Sequence, residues 1–158
     1  MDHAREAQRL FLEGYNCAQA VFCAFIDSTG LDIETAARFS SSFGAGIGRL
    51  RETCGAVSGA LMVLGLTRGY SDPADPQAKA AHYSLVQDYV QRFRQKNGTF
   101  ICRELLKDVP VTPGLIPEPR TPEFYARRPC LRLIGEAAGL LEKMLCEKQN
   151  THPKEEQP

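Results

Sequence analysis

Apolar residues recur along this chain at intervals of three and four, the spacing that gathers one face of a helix, and no run alternates apolar and polar long enough to demand a strand. Ala4, Ala7, Leu10 and Phe11 predict a first helix over about Asp2 to Glu13, closed by Gly14. Asn16 has the side chain of an N-cap and predicts a second helix from Cys17 to about Ser28, with Ala20, Val21, Ala24 and Phe25 as its buried stripe. Asp32 caps a third, which ends before the glycine-rich Gly44-Ala45-Gly46-Ile47-Gly48. Thr53 caps a fourth, about Cys54 to Thr67, apolar on most faces and therefore the expected central element.

Asp75 followed by Pro76 starts a fifth helix that runs to the stop signal Asn97-Gly98. Thr99 opens a short sixth, Phe100 to Lys107. Five prolines, Pro110, Pro113, Pro117, Pro119 and Pro122, then forbid a continuous helix and predict an ordered arm over the surface. A short helical turn is expected at Glu123 to Arg127. The last helix starts near Pro129 and carries Leu133, Ala137, Leu140, Leu141 and Met144 before the chain turns polar at Asn150. The pattern is that of an all-α, single-domain helical bundle of about six to seven helices.

The chain has 158 residues, with 19 lysines and arginines against 19 acidic residues. The length allows one core burying roughly two thirds of the unfolded surface. The charge balance lacks the basic excess of a nucleic-acid binder, so no nucleic-acid partner is expected. No run of about 18 apolar residues and no apolar N-terminal segment is present, so the protein reads as not membrane-spanning, without a signal peptide, and cytoplasmic.

In such a compartment six cysteines are expected to be reduced, and therefore catalytic, redox-active or metal-binding rather than structural disulfides. None is paired as C-x-x-C, which removes the local-pair chemistry of zinc ribbons, thioredoxin-like sites and covalent haem. Four share a different context: Cys17 follows Asn16, Cys54 follows Thr53, Cys130 follows Pro129, and Cys102 lies three residues after Thr99. Each falls in the first turn of a predicted helix, where unpaired N–H groups and the positive end of the dipole favour an anion such as a thiolate. Arg49, Arg51, Arg103 and Arg128 are expected to add to that field. Cys23 and Cys146 fall inside helices and are read as packing residues. These features define a helical four-cysteine domain over residues 1–150 and a flexible polar tail over 151–158.

Gly55 and Gly59 stand one turn apart inside a helix, at a cost of roughly 1 kcal/mol each relative to alanine. Small residues at that spacing admit a cofactor or another helix close to the backbone, so both are candidate cofactor-binding positions alongside the plain packing explanation. Gly44, Gly46 and Gly48 fit no nucleotide-binding loop and predict a flexible turn that delivers Cys54. His82 is expected to serve packing or surface, and His3 and His152 lie in the terminal regions.

The stretches Gly14-Tyr15-Asn16-Cys17-Ala18-Gln19-Ala20-Val21, Gly44 to Gly48, Cys54-Gly55-Ala56-Val57-Ser58-Gly59-Ala60 with Leu61-Met62-Val63-Leu64-Gly65, Cys102-Arg103-Glu104-Leu105-Leu106, and Cys130 opening the last helix resemble the C_GCAxxG_C_C family of redox-active proteins over about Ala7 to Leu145. The resemblance implies an all-helical redox or metal-thiolate protein whose site is Cys17, Cys54, Cys102 and Cys130. It also implies a transporter connection, because genes of this family often lie near transporter genes. Three functions follow as expectations: a thiol redox protein with a redox partner protein; a metal-binding electron carrier or sensor holding zinc or an iron-sulfur cluster on the same four cysteines; and a transporter-associated helical binding protein. Split-Soret cytochromes c carry a related arrangement, but this chain has no C-x-x-C-H and so no covalent haem. Apolar residues left over on the amphipathic helices leave a homodimer open.

Overall fold

The computed structural model describes residues 1–147; the expected tail 151–158, with His152, lies outside the described residues. Helices run His3–Leu12, Cys17–Ala24, Ile26–Thr29, Ile33–Ser40, Gly55–Arg68, Pro76–Asn97, Cys102–Leu105, Pro122–Arg127 and Cys130–Cys146. The described residues form no strand, only one isolated antiparallel bridge between Thr53 and Ile101. The six helices of eight residues or more make the bundle expected from the apolar spacing.

Helix starts follow the capping chemistry. The Asn16 side chain accepts from the Gln19 N–H at 2.9 Å while Gln19 Oε1 accepts from the Asn16 N–H at 3.0 Å, a reciprocal capping box. Asp32 accepts from Thr35 N–H, Asp75 from Ala78 N–H and Thr121 from Phe124 N–H. Gly14 and Gly98 follow helix ends at positive φ, which costs glycine nothing.

Three boundaries differ from expectation, each for a tertiary reason. The second helix breaks at Phe25, whose ring is fully buried and stacks on His3 at 4.1 Å, so Cys17–Ala24 and Ile26–Thr29 are separate pieces. Thr53 does not cap the central helix: it is held in the bridge to Ile101, and Cys54, donating its N–H to the Phe100 carbonyl at 2.8 Å, becomes the residue just before Gly55–Arg68. The same bridge holds Phe100 and Ile101 out of a helix, so the short helix starts at Cys102 and stops at Leu105.

The core joins five helices. Ala18, Ala20, Val21, Phe22, Cys23 and Ala24 bury nearly all of the Cys17–Ala24 helix, which packs against Ala56, Val57, Ala60, Val63 and Leu64 of the central helix. Leu133, Ile134, Ala137, Ala138 and Leu141 of the last helix and Ala7, Leu10 and Phe11 of the first close the other side. The long Pro76–Asn97 helix buries only Tyr89 and Phe93, with the Tyr89 hydroxyl donating to the Ala137 carbonyl at 2.9 Å. Gly59 meets this core directly: a Cβ there would stand 2.5 Å from the Ala18 carbonyl oxygen and 3.2 Å from Val21 Cβ, so the neighbouring helix occupies the space this glycine opens.

Candidate functional site

Four helix starts meet at one cavity of about 460 Å³, and Cys17, Cys54, Cys102 and Cys130 all line it. Cys17, Cys102 and Cys130 are first residues of their helices, and Cys54 immediately precedes one. All six cysteines of the chain are free thiols. The backbone fixes two of the four side by side: besides the Cys54 N–H on Phe100, the Cys102 N–H donates to the Glu52 carbonyl at 2.6 Å and the Arg103 N–H to the Arg51 carbonyl at 3.0 Å. Residues 51–54 and 100–103 are thus zipped together, which brings Cys54 and Cys102 to the same wall from 48 positions apart.

The glycine-rich segment is not slack. Ala45, Gly46, Ile47, Gly48 and Arg49 are consecutive residues at positive φ, and Arg51 is a further one, so the chain winds left-handed here. Left-handed backbone costs non-glycine residues roughly 1–2 kcal/mol each, a strain of the kind that persists where surrounding contacts fix it. The contacts are visible: Arg51 N–H donates to the Ala45 carbonyl and Glu52 N–H to the Gly46 carbonyl, while a Cβ on Gly46 would stand 2.7 Å from the Cys102 Cβ. The turn also presents the Ala45 N–H to Cys17 Sγ at 3.4 Å. Gly55 lines the cavity beneath the same sulfur, with no room for a Cβ between them.

Burial opposes the helix-start effect at three of the four thiols. The Cys130 thiol is pushed up to about 12 by burial and by the neighbouring Cys17, with Arg128 acting in the opposite direction. Burial, followed by Cys17, raises Cys54; burial raises Cys102, with Arg51 pulling against it. Cys17 is thus the electrical neighbour common to the other three. It is half-buried, whereas Cys54 and Cys102 are each only 7 % exposed. The two cysteines read as packing residues divide: Cys23 is buried, and burial lifts its thiol to about 11, but Cys146 is exposed at the end of its helix because its turn of helix reaches the rim of the bundle.

Of the four arginines expected to set the field, Arg49, Arg51 and Arg128 line the cavity. Arg103 does not: it is more than half exposed and pairs with Glu52 at 2.8 Å, because the zipper turns its side chain outward. Glu118 and Arg120, from the proline-rich arm, complete the ionisable lining. Arg49 and Arg128 contact the Glu118 carboxylate at 3.0 and 2.9 Å, and Arg51 approaches it at 3.9 Å. Burial would raise the Glu118 carboxyl, but the Thr112 N–H, Arg49 and Arg128 hold it well below the usual carboxylate range. Arg120 is fixed by the Phe11 and Tyr15 carbonyls and lies 4.4 Å over the Phe11 ring. Sequence reasoning passed over Glu118 and Arg120; the signal was a carboxylate clamped between Pro117 and Pro119 with an arginine two residues on.

Among the described residues, no three His, Cys, Asp or Glu side chains stand close enough together to hold a metal ion as placed. No described helix is long and apolar enough to cross a membrane. No curated protein and no solved structure matches the chain. A family model described as "Putative redox-active protein (C_GCAxxG_C_C)" matches residues 15–144, a span that contains all four cavity cysteines and most of the chain. The chain belongs to the C_GCAxxG_C_C family.

Proposed function

We propose that this protein is a dithiol–disulfide redox protein in which Cys17 attacks a disulfide and Cys54 resolves the mixed disulfide. The observation that carries this reading is the convergence of four helix starts, each with a free thiol, on a single cavity. Exchange requires a thiolate, an accessible sulfur and a second thiol within reach. Cys17 is more accessible than Cys54 and Cys102, and a backbone N–H addresses its sulfur. It is half-buried rather than buried, and the Ala45 N–H aimed at Sγ makes a stronger hydrogen bond to an anionic sulfur than to a neutral one. Cys54 is next in chain to Gly55, which abuts the Cys17 sulfur, so it is the natural resolving partner. Cys102 and Cys130 border the same cavity and can receive the disulfide by further exchange.

The test is an anaerobic, reduced preparation titrated with a small-molecule disulfide and analysed by intact mass, free-thiol count and peptide mapping. The expected result is loss of two thiols per chain with a Cys17–Cys54 linkage, abolished by Cys17→Ser. Two outcomes overturn it: six thiols that persist under excess oxidant, or near-stoichiometric zinc, or iron with sulfide, that resists removal and leaves the cysteines inert. The second outcome would make the same four residues a metal-thiolate centre.

A further inference from the structure

The charge around the four thiols is strongly one-sided. The chain as a whole is neutral, with 19 cationic and 19 acidic residues, yet among the described residues the ionisable groups other than cysteine that line the cavity are Arg49, Arg51, Arg120 and Arg128 against the single carboxylate Glu118. These side chains are largely shielded from water: 11 % exposed for Arg49, 13 % for Arg51, 7 % for Arg128 and 16 % for Glu118. A charge excess behind low-dielectric walls acts further than the same excess on an open surface. One donor is also unspent. Arg51 Nη2 is buried 3.9 Å from the Glu118 carboxylate and has no hydrogen-bond partner among the described residues, so it has a donor to offer an acceptor in the cavity.

We infer that the cavity takes an anionic, carboxylate-bearing disulfide, with Arg51 and Arg128 holding its carboxylates while the disulfide lies against Cys17. This inference rests on the thiol-exchange reading above. The chemistry closes without another reactant. The Cys17 thiolate attacks one sulfur of R–S–S–R, forming Cys17–S–S–R and releasing R–S⁻. Cys54, giving up its thiol proton as it reacts, then attacks Cys17, forming the protein disulfide and releasing the second R–S⁻. Two electrons pass from the protein to the substrate, and the two protons lost by the thiols end on the two released thiolates or in solvent. Each released product carries at least the charge it brought in, so the arginines favour substrate entry and the disulfide-forming step alike. Glu118 neutralises part of the arginine charge and fixes the guanidinium planes in advance, which lowers the ordering required on binding.

The experiment compares three small aliphatic disulfides with the reduced full-length chain: the dianionic 3,3′-dithiodipropionate, the neutral bis(2-hydroxyethyl) disulfide and the dicationic cystamine. Each rate is divided by its rate with a short, flexible cysteine peptide, which removes intrinsic reactivity. The expected outcome is a normalised preference for the dianion over the dication of about tenfold or more at low salt, the scale of electrostatic focusing in charged clefts. That preference should shrink as salt rises from about 20 mM to about 500 mM, over which the screening length falls severalfold. Arg51→Met should lower the ratio further. Equal normalised rates for all three reagents would overturn the anionic class and leave thiol exchange standing. Failure to react with any of them would overturn the exchange reading itself. The wild-type ratio and its salt dependence decide the matter even where the Arg51 variant folds poorly.

Discussion

Gly55 lies so close beneath Cys17 that a Cβ on it would overlap the Cys17 sulfur, while also meeting the Phe43 carbonyl oxygen at 2.8 Å. One of these neighbours is backbone and the other a proposed nucleophile, so neither can yield without consequence. Gly55→Ala should therefore destabilise the fold by about 1 to 3 kcal/mol, and Gly55→Leu by more. Urea unfolding measures the first effect. The labelling rate of Cys17, altered in the alanine variant beyond what the stability loss accounts for, measures the second. Wild-type stability in both variants would show that this contact does not constrain the helix pair.

Access rather than helix position should set the order of thiol labelling. In reduced protein near neutral pH, Cys146, exposed, and Cys17, half-buried and hydrogen-bonded by Ala45, should react with iodoacetamide before Cys23, Cys54 and Cys102. This reverses the sequence-based expectation for Cys146 and keeps it for Cys23. Oxidation by a disulfide should then protect Cys17 and leave Cys146 reactive. Timed labelling with mass spectrometry reads all six, and a Cys17 as slow as Cys23 would remove it as the attacking residue.

The helix starts were legible because their determinants are local: Asn16 with Gln19, Asp32 with Thr35 and Asp75 with Pro76 announce themselves within four residues. The shared position of the four cysteines was legible for the same reason. What failed were particular features made by partners far apart in sequence. The bridge from Thr53 to Ile101 replaced a predicted cap, and the His3 ring, with Nδ1 at 2.6 Å from Glu142 and Nε2 at 3.1 Å from Asp27, is a buried clamp across helices where the sequence offered only a terminal histidine. Three glycines in five residues suggested slack, whereas contacts from Cys102, Arg51 and Glu52 wind them into a fixed left-handed turn. Burial, which no local pattern reports, decides against thiolate character at Cys54, Cys102 and Cys130.

Glu118 should anchor the arm of residues 108–121 to the cavity. Its carboxylate accepts from Arg49, Arg128 and the Thr112 N–H, and Arg49 in turn donates to the Thr112 and Gly114 carbonyls. Glu118→Gln keeps the shape and removes the charge beneath the arginines. A loss of about 2 to 3 kcal/mol is expected, under the full figure for breaking a buried ion pair because Glu118 keeps some contact with water. Limited proteolysis should cut within 108–121 faster in the variant. Because the folded-state value of Glu118 is depressed, its contribution is present above the ordinary carboxylate range near 4.3 and is lost as pH falls below it. The acid limb of the stability profile should accordingly flatten in Glu118→Gln, and an unchanged limb together with unchanged proteolysis would show that the arm is held by other contacts.

At the alkaline end the thiols take over, with the opposite sign. Burial raises Cys23 to about 11 and Cys130 to about 12, and raises Cys54 and Cys102 as well. An unfolded chain deprotonates cysteine near 8.5, so above that pH the unfolded state sheds protons that the folded state retains, and the equilibrium moves toward unfolding. Stability contributed by these protonated thiols is therefore complete below about pH 8.5 and declines as pH rises toward the folded values, by up to roughly 1.4 kcal/mol per pH unit for each fully differential thiol. Reduced protein measured by urea unfolding from pH 7 to 10 should show this decline. Cys23→Ala, outside the cavity, should be less stable at pH 7 through its lost packing yet show a shallower slope, and the oxidised form should be shallower because the raised Cys54 thiol no longer titrates. A flat profile in the reduced wild type would mean that the cavity stabilises thiolates after all, and would return the helix starts to first place among the forces acting on Cys54 and Cys130.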